Sequence, residues 1–486
     1  MNNQDAGIWT DVLRRMGYTV YPASMDSAEE TFCAMVRGSR KLLAVSGKRA
    51  GDFAGERADG MLLCSPNREN ADALMRLFPY TAPARCPKDS LSMGLGDRLG
   101  IATPGHASSV AAYDVFPVFA QQSVRELNLT GRTFKDIVAA AAFGVFEAGY
   151  KKGYGADGDH LKTIGEIDAA LDAGCAMITL DCSNHIHADI AHLEDAEVER
   201  LYGNLPEDLR TYYESRYSQR EHPVVGKIER NVLRRIVLTF HEAVEYAKTC
   251  HAHIMQRGGG VDFELSIDET SAWTLPCEHY VIANELEQVG VRPTSVAPHF
   301  CGEFEKGIDY RGDLAELTRQ LIAHQQLAEH FGYKLSLHSG SDKFSVFPVF
   351  GSITKRRAHL KTAGTSWLEA MRVVAQKDPA LYRRVHAYAL EAFDKAREYY
   401  HVTTELDRIP DLSDLADGEL PLLFQMDDAR QLIHITYGLI LNEKNEKGDY
   451  VFRDVLYALW YENEESYIHA LRDHIGRHLQ SVFAEV

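Results

Sequence analysis

The sequence predicts an α/β protein: a (β/α)8 TIM-type barrel, preceded by a small N-terminal α/β unit and followed by a helical C-terminal region. Short apolar segments, each followed by a polar or glycine-bearing cluster, recur from residue 98 onward. Segments of helical periodicity lie between them, and strand–helix alternation with eight strands is typical of this barrel. After residue 390 the apolar residues recur at helical spacing. We therefore expect three regions, at residues 1–97, 98–390 and 391–486.

The first region alternates helical and strand-like patterns. The segments "SAEETFCAMVRGSRK" and "ENADALMRLF" have helical spacing, whereas "KLLAVSG" and "DGMLLCSP" are short apolar runs. A connector rich in proline and glycine, "APARCPKDSLSMGLGDR", leads into the barrel.

Eight strands are predicted in the barrel region. In chain order they are "RLGIATPGH", "FPVFAQQS", "GYGADGDHLKT", "AMITLDCSNH", "VDFELSIDET", "TSVAPHFCGE", "YKLSLHSGSDK" and "RAHLKTAGTSW". The long connection after the fourth contains an acidic insertion at about residues 185–225. Beyond the barrel, "MDDARQLIHITYGLIL" and "YVFRDVLYALWYENEESYIHALRDHIGRHLQSVF" predict helices that pack on it.

Composition excludes several classes of function. The formal charge is -18, with 70 acidic against 52 basic residues, so a nucleic-acid partner is not expected. No window offers a membrane-spanning apolar run, and the N-terminus lacks a signal-peptide pattern, so we expect a cytoplasmic protein without a membrane partner. The 8 cysteines form no C-x-x-C pair and predict reduced thiols.

Reactive side chains concentrate at the ends of the predicted strands, where such barrels carry their active sites. They are Gln122, Ser123, Asp159, His160, Lys162, Asp181, Glu264, Asp268, His299, His338, Ser339, Asp342, Lys361 and Thr362. Imidazole and carboxylate suit a divalent metal ion. Three histidines, His160, His299 and His338, together with at least one carboxylate, therefore predict a site for one Zn, Mn, Co or Ni ion.

Other motifs are less specific. The segment "HIHADIAH" is more typical of a solvated helix than of a second metal cluster, because it lies in the acidic insertion. The segment "MQRGGGV" indicates a tight turn and not a phosphate loop. In "HSGSDKF", the Gly-Ser turn beside Lys343 is either an anion site or an ordinary turn.

Two family resemblances follow from these motifs. The phrases "DGDHLKT", "ITLDCS", "HFCGEFEKG", "LHSGS" and "LKTAGTSW" resemble the strand-end motifs of class II metal-dependent aldolases. In that family an Asp-His pair, a later His and a His-Gly-Gly-Ser turn surround a zinc ion. Here the turn is His-Ser-Gly-Ser, a departure that weakens the case for phosphate binding.

Nearly the whole chain resembles the bacterial hexuronate epimerase family that interconverts tagaturonate and fructuronate. The phrases "GADGDHLKT", "FELSIDET", "HFCGEFEKG" and "LHSGSDKFS" carry this resemblance. It implies a divalent metal ion, a cytoplasmic sugar-acid pathway and a small-molecule ketohexuronate substrate.

The aldolase resemblance and the barrel geometry together suggest roles for the candidate residues. His160, His299 and His338 bind the metal, Glu264 is a fourth ligand or a nearby base, and Asp159 shuttles the hydroxyl proton. The substrate-binding candidates are Gln122, Ser123, Lys162, Asp181, Asp268, Lys306, Ser339, Asp342, Lys343 and Lys361. Among them Lys306, Lys343 or Lys162 binds the carboxylate.

The expected reaction is metal-dependent epimerisation at the carbon β to the ketone, by retro-aldol cleavage and re-addition. Two alternatives stay open at this point. One is a class II type aldolase that acts on a sugar acid or ketose and releases its fragments. The other is a non-catalytic sugar-acid sensor. The sequence also leaves open whether the chain forms a homo-oligomer.

Overall fold

The N-terminal region is an antiparallel sheet with a helix at each end. The computed structural model describes residues 3–268, 270, 272–362 and 364–484. The N-terminal elements are α1 (Asn3–Arg15), β1 (Thr19–Val20), β2 (Asp26–Ala28), β3 (Thr31–Arg37), β4 (Lys41–Gly47), β5 (Gly55–Ala58), β6 (Met61–Cys64) and α2 (Arg68–Leu77). The sheet runs β1-β3-β4-β6-β5, and β2 also pairs with β3.

The helix predicted over "SAEETFCAMVRGSRK" is wrong, because this segment forms the hairpin of β2 and β3. Successive side chains of β3 face opposite sides of the sheet and enter different cores. Cys33 and Met35 pack toward α2, whereas Phe32 and Ala34 pack with Leu13 of α1. A strand buried on both faces has an unbroken apolar run, which periodicity alone does not distinguish from a helix.

Eight parallel strands close into a barrel, as predicted. The barrel strands are β7 (Leu91–Gly94), β8 (Val115–Ser123), β9 (Gly155–Leu161), β10 (Met177–Asp181), β13 (Asp262–Ile267), β14 (Ser295–Pro298), β15 (Lys334–Leu337) and β16 (Ala358–Lys361). Between them lie α3 (Thr103–Val110), α4 (Val124–Thr130), α5 (Phe134–Ala148), α6 (Ile164–Asp172), α9 (Arg230–Gln256), α10 (Pro276–Gln288), α11 (Leu314–Phe331) and α12 (Phe347–Ile353). The last strand, β16, pairs with the first, β7, and completes the circle.

The first barrel strand differs from the prediction. It is Leu91–Gly94, inside the predicted connector, whereas "RLGIATPGH" forms a turn and the start of α3. The carboxylate of Asp97 accepts hydrogen bonds from the backbone N–H groups of Leu99, Gly100 and Ala102, which fixes the turn. The barrel therefore begins before residue 98, although the other seven predicted strands coincide with observed ones.

The insertion and the C-terminal region are mainly helical. The insertion contains α7 (Asp195–Gly203), α8 (Glu207–Tyr217), β11 (Glu221–His222) and β12 (Gly226–Lys227). After the barrel come α13 (Thr365–Lys377), α14 (Pro379–Ala396), α15 (Asp427–Asn442), α16 (Arg453–Glu462) and α17 (Glu464–Val482). Helices α13 to α17 share one apolar core, and α17 also packs on α3 and α12. Across the described residues, every helix is too short or too polar to cross a membrane.

A buried ion cluster joins the three regions. The Lys41 ammonium of β4 donates to both carboxylate oxygens of Glu147 in α5, at 2.7 and 2.8 Å, and also to Glu464 in α17. Tyr21 donates to the other oxygen of Glu464 at 2.7 Å. Burial raises the pKa of Glu147 to about 7, against the attraction of Lys41. One ammonium thus compensates two largely buried carboxylates.

We predict that Lys41→Met lowers the free energy of unfolding by about 3 kcal/mol at pH 8, because it leaves two buried carboxylates without a cation. A carboxyl group with a raised pKa in the folded state stabilises the fold at low pH, and this contribution is lost as pH rises through about 7. The loss should therefore be smaller at pH 5. Urea denaturation at both pH values measures it.

Lys48→Met is the matched control, since Lys48 pairs with Glu30 at the surface, where both side chains are mostly exposed. It should change stability by less than about 1 kcal/mol. Equal losses for Lys41→Met and Lys48→Met, or a loss for Lys41→Met that does not depend on pH, would contradict this account.

Candidate active site

A cavity of about 350 Å³ opens at the carboxyl ends of the barrel strands. Its wall combines the ends of β8, β9, β14, β15 and β16 with the segment Tyr399–His401, which follows α14. Polar and ionisable side chains form most of this wall. The position is the one at which barrel enzymes bind substrate.

Two imidazoles and a carboxylate meet in this cavity. Ligand atoms of His160, Asp268 and His338 all lie within 4.8 Å of one another. Nδ1 of His338 is 3.1 Å from Oδ2 of Asp268, and the ring centroids of the two histidines are 4.9 Å apart. Burial disfavours the imidazolium, yet Asp268 and then Glu264 raise the pKa of His338 to about 10. The site therefore attracts positive charge.

A bulge in β9 brings two adjacent residues to the cavity. Between the pairs Gly158–Ile178 and Leu161–Leu180, β9 has one more residue than β10. His160 lies in this bulge with φ of 52°, in the left-handed region that non-glycine residues rarely adopt. Neighbouring residues of a regular strand face opposite sides, but here Asp159 and His160 both line the cavity.

Glu264 lies outside the cavity and contacts His338 on the side of the ring that faces the barrel interior. It is fully buried, accepts hydrogen bonds from His338 Nε2 at 2.8 Å and Ser295 Oγ at 2.5 Å, and lies outside the cavity wall. Burial favours the neutral acid, but Lys361 holds the pKa of Glu264 well below its usual range. The carboxylate therefore fixes His338 with Nε2–H donating and Nδ1 directed toward Asp268. Glu264, predicted as a fourth metal ligand or a nearby base, thus contacts His338 and does not line the cavity.

Lys361 lies at the centre of a buried network. Its ammonium is 2.6 Å from Asp159 Oδ1, 2.8 Å from Glu264 Oε1 and 3.1 Å from Asp157 Oδ2, and it donates to Thr179 Oγ1 at 2.6 Å. Burial raises the pKa of Asp157 to about 7. Although burial also opposes the charge on Asp159, Lys361 keeps the pKa of Asp159 below its usual range. Asp159 is thus an ionised carboxylate in the cavity wall.

His299 lines the same cavity but lies outside the set of His160, Asp268 and His338. Its Nδ1 is 3.2 Å from Oγ1 of Thr270. The structure therefore places Asp268, predicted to bind substrate, where His299 was expected as the third metal ligand.

Gln122 points away from the cavity. Gln121 and Ser123 line the wall, whereas Gln122 Oε1 accepts a hydrogen bond from Arg132 Nη1 at 3.3 Å behind β8. Alternation along the strand explains this placement, because Gln122 and Ser123 are neighbours on opposite faces. Gln121 also donates to Asp159 Oδ2 at 3.2 Å, so it replaces Gln122 as the candidate.

Four other candidates lie outside the cavity wall. Lys162 is 3.3 Å from Asp181, and this pair is beside β10. Lys343 is buried and donates to the backbone carbonyls of Glu305, Ile308 and Ser341, so it holds a loop. Asp342 is buried in a different network. None of the four lines the cavity, although Oδ2 of Asp181 lies 3.8 Å from Nδ1 of His160.

Asp342 joins the barrel to the C-terminal helices. It forms an ion pair with Arg430 of α15 at 2.8 Å and is 2.7 Å from His474 of α17, while its backbone N–H donates to His478 Nε2 at 2.9 Å. His478 Nδ1 in turn donates to the His474 carbonyl at 2.9 Å. Although Asp342, His474 and His478 are close enough to hold an ion, these contacts already occupy their polar atoms. We assign no metal here.

Two cations in the wall complete the site. Lys306 Nζ donates to Ser339 Oγ at 3.0 Å, and Arg125 Nη1 donates to the Tyr399 carbonyl at 3.0 Å. Sequence reasoning missed Arg125 because it considered strand ends, and Arg125 lies in the first turn of α4. Tyr399 and its neighbours were missed because they are distant in sequence from the barrel strands.

The residues present fit a divalent metal ion. Imidazole nitrogen and carboxylate oxygen are ligands that transition metals accept. Nδ1 of His160 is buried without a hydrogen-bond partner among the described residues, and its nearest printed carboxylate atom is Oδ2 of Asp181 at 3.8 Å, so this nitrogen is open to a further ligand. Glu264 orients His338 from behind, as carboxylates commonly do for metal-binding histidines.

Comparisons with known proteins show the family of this chain. A profile of the tagaturonate epimerase family matches residues 18–482. The tagaturonate/fructuronate epimerase of Thermotoga maritima is 38% identical over 474 residues, which cover 95% of this chain and 96% of that protein. The native crystal structure of the fructuronate–tagaturonate epimerase of Cohnella laeviribosi is 47% identical, covers 99% of both chains and has a TM-score of 0.95, and a glycerol complex of that protein gives the same values. A far more distant likeness is to the YdjI aldolase of Escherichia coli, 11% identical with a TM-score of 0.35. Since the profile spans almost the whole chain and the Thermotoga relative matches over nearly its full length, the chain belongs to the tagaturonate epimerase family.

Proposed function

We propose that this protein interconverts D-tagaturonate and D-fructuronate with the help of one divalent metal ion held by His160, Asp268 and His338. The observation that carries the proposal is the meeting of these three residues beside the ionised Asp159, in a cavity at the active-site end of the barrel. Membership of the tagaturonate epimerase family supports the substrate. The 8 cysteines, all free thiols, support the cytoplasmic setting.

The position of the inverted carbon determines the type of reaction. This carbon is β to the ketone, so the carbonyl group does not acidify its hydrogen and simple enolisation cannot invert it. Cleavage of the bond between the α and β carbons avoids this difficulty. The β-hydroxyl loses its proton and becomes an aldehyde, while the electron pair of the broken bond passes to the enediolate of dihydroxyacetone. The other fragment is tartronate semialdehyde, whose aldehyde turns over before the bond re-forms on its opposite face.

The side chains of the cavity provide the groups for this chemistry. Asp159, ionised and in the wall, accepts the proton of the β-hydroxyl and returns it to the new hydroxyl. Gln121 and Lys361 hold the two oxygens of Asp159 in place. A bound divalent ion supplies Lewis-acid stabilisation for the negative charge that develops on the ketone oxygen. Glu264 keeps the His338 imidazole in one orientation throughout.

Activity should require a divalent metal ion. Purified protein incubated with tagaturonate and Zn, Mn, Co or Ni should form fructuronate, and a chelator should stop the reaction. Chromatography of the sugar acids measures the conversion. If no metal supports it, the proposed function is wrong, and steady release of dihydroxyacetone instead of fructuronate would indicate an aldolase.

Metal content should depend on the three proposed ligands. His338→Ala and Asp268→Ala should reduce bound metal from about one ion per chain to near zero, whereas His299→Ala should retain it. Glu264→Gln should weaken metal affinity about 10- to 100-fold, because Glu264 acts through His338. Elemental analysis and competition with a chelator measure these changes. His469→Ala is the matched control, since His469 is exposed and pairs with Asp473.

Retention of metal by His338→Ala would rule out the proposed site. Loss of metal in His299→Ala, with retention in Asp268→Ala, would return the assignment to His160, His299 and His338.

Deuterium labelling separates cleavage from direct deprotonation. In deuterium oxide, product formed by cleavage should carry no deuterium at the inverted carbon, because the hydrogen on that carbon never leaves it. Nuclear magnetic resonance of the product measures the label. Deuterium at that carbon would exclude the retro-aldol path while leaving the epimerase assignment intact.

A further inference from the structure

The cavity wall contains two cations without a carboxylate partner. Lys306 and Arg125 both line the cavity, and within the described residues neither forms an ion pair with Asp or Glu. Other cations nearby are neutralised. Arg98 pairs with Glu126 at 2.7 Å, and Lys361 is surrounded by three carboxylates.

The two cations disfavour one another. Burial lowers the pKa of Lys306 from its ordinary value, and repulsion from Arg125 is the next cause. A partly buried pair of like charges is unfavourable unless an anion is shared between them. This part of the wall is therefore prepared for a negatively charged ligand.

Both cations have N–H groups available. Lys306 uses one on Ser339, and Arg125 uses one on the Tyr399 carbonyl while its guanidinium lies 4.8 Å from the centre of the Tyr400 ring. Lys343, by contrast, has used its three N–H groups on backbone carbonyls. A guanidinium can bind both oxygens of a carboxylate at once.

We infer that Arg125 and Lys306 bind the carboxylate of the sugar acid and so determine the preference for uronates over neutral ketoses. This inference rests on the proposed function, because it names the groups that recognise the charged end of that substrate. Such contacts also have a role during cleavage. The tartronate semialdehyde fragment carries the carboxylate, so the two cations hold that fragment while its aldehyde turns over.

Binding of two small probes tests the inference without turnover. Glycerate has a carboxylate beside a hydroxyl-bearing carbon, as the substrate does, and glycerol is its neutral counterpart. Calorimetry of the metal-loaded protein should show glycerate binding at least about tenfold more tightly than glycerol. In Arg125→Met and in Lys306→Met, the affinity for glycerate should fall about tenfold or more, with the affinity for glycerol unchanged.

Kinetics provide a second readout. Arg125→Met should raise KM for tagaturonate about 100-fold and change kcat much less, because the contact is present in both the ground state and the transition state. Arg125→Lys keeps the charge and should restore part of the loss. Arg319→Met is the matched control, since Arg319 is exposed and pairs with Glu316 on α11.

The inference is overturned if glycerate binds the wild-type protein no better than glycerol, or if the variants weaken both probes equally. Failure of the proposed function appears separately, as absence of fructuronate from the wild-type assay. Normal conversion by the wild type, together with an unchanged KM in both Arg125→Met and Lys306→Met, would reject the cation pair and leave the epimerase assignment standing.

Discussion

The buried ammonium of Lys361 is the interaction on which the rest of the site depends. It lies against Asp157, Asp159 and Glu264, none of which would keep a negative charge at this depth without a cation beside it. Through Glu264 it fixes the imidazole of His338, and through Asp159 it keeps a charged carboxylate in the cavity wall. A single lysine at the end of β16 thus organises both the proposed metal ligands and the proposed proton acceptor. This arrangement explains why so many acids can share the interior of one barrel.

Much of the barrel could be predicted from sequence because its strands end in polar clusters. Seven of the eight predicted strands were recovered on this basis, and the eighth failed because β7 is short and ends in glycine within a segment that reads as a connector. The N-terminal helix prediction failed because β3 is apolar on both faces. In both cases the local pattern lacks the information that tertiary packing supplies.

The location of the site at the strand ends could be predicted from sequence, but the position and contacts of the individual residues could not. Neighbouring side chains of β8 face opposite sides of the strand, so Gln122 and Ser123 could not both line the cavity. The incorrect choice of Gln122 was therefore avoidable. The placement of both Asp159 and His160 in the cavity wall was not predictable, because it depends on a bulge in β9 that has no residue-type signature in the sequence. Distance distinguishes Asp268 from His299, since both follow barrel strands and only Asp268 lies close to both His160 and His338. Arg125 and the segment Tyr399–His401 come from outside the strands altogether.

The contacts of Asp342 with α15 and α17 tie the barrel to the C-terminal helices, and this limits how the two regions can be exchanged between proteins. Because the C-terminal region both contributes Tyr399–His401 to the cavity wall and holds the loop after β15 through Arg430 and His474, the barrel is not a self-sufficient catalytic module. Grafting its strand ends onto a bare scaffold, or exchanging the C-terminal helices between distant homologues, would disturb the wall of the site even where every proposed metal ligand was retained. Recombination within this family should therefore succeed when the barrel and the C-terminal helices both come from the same parent protein.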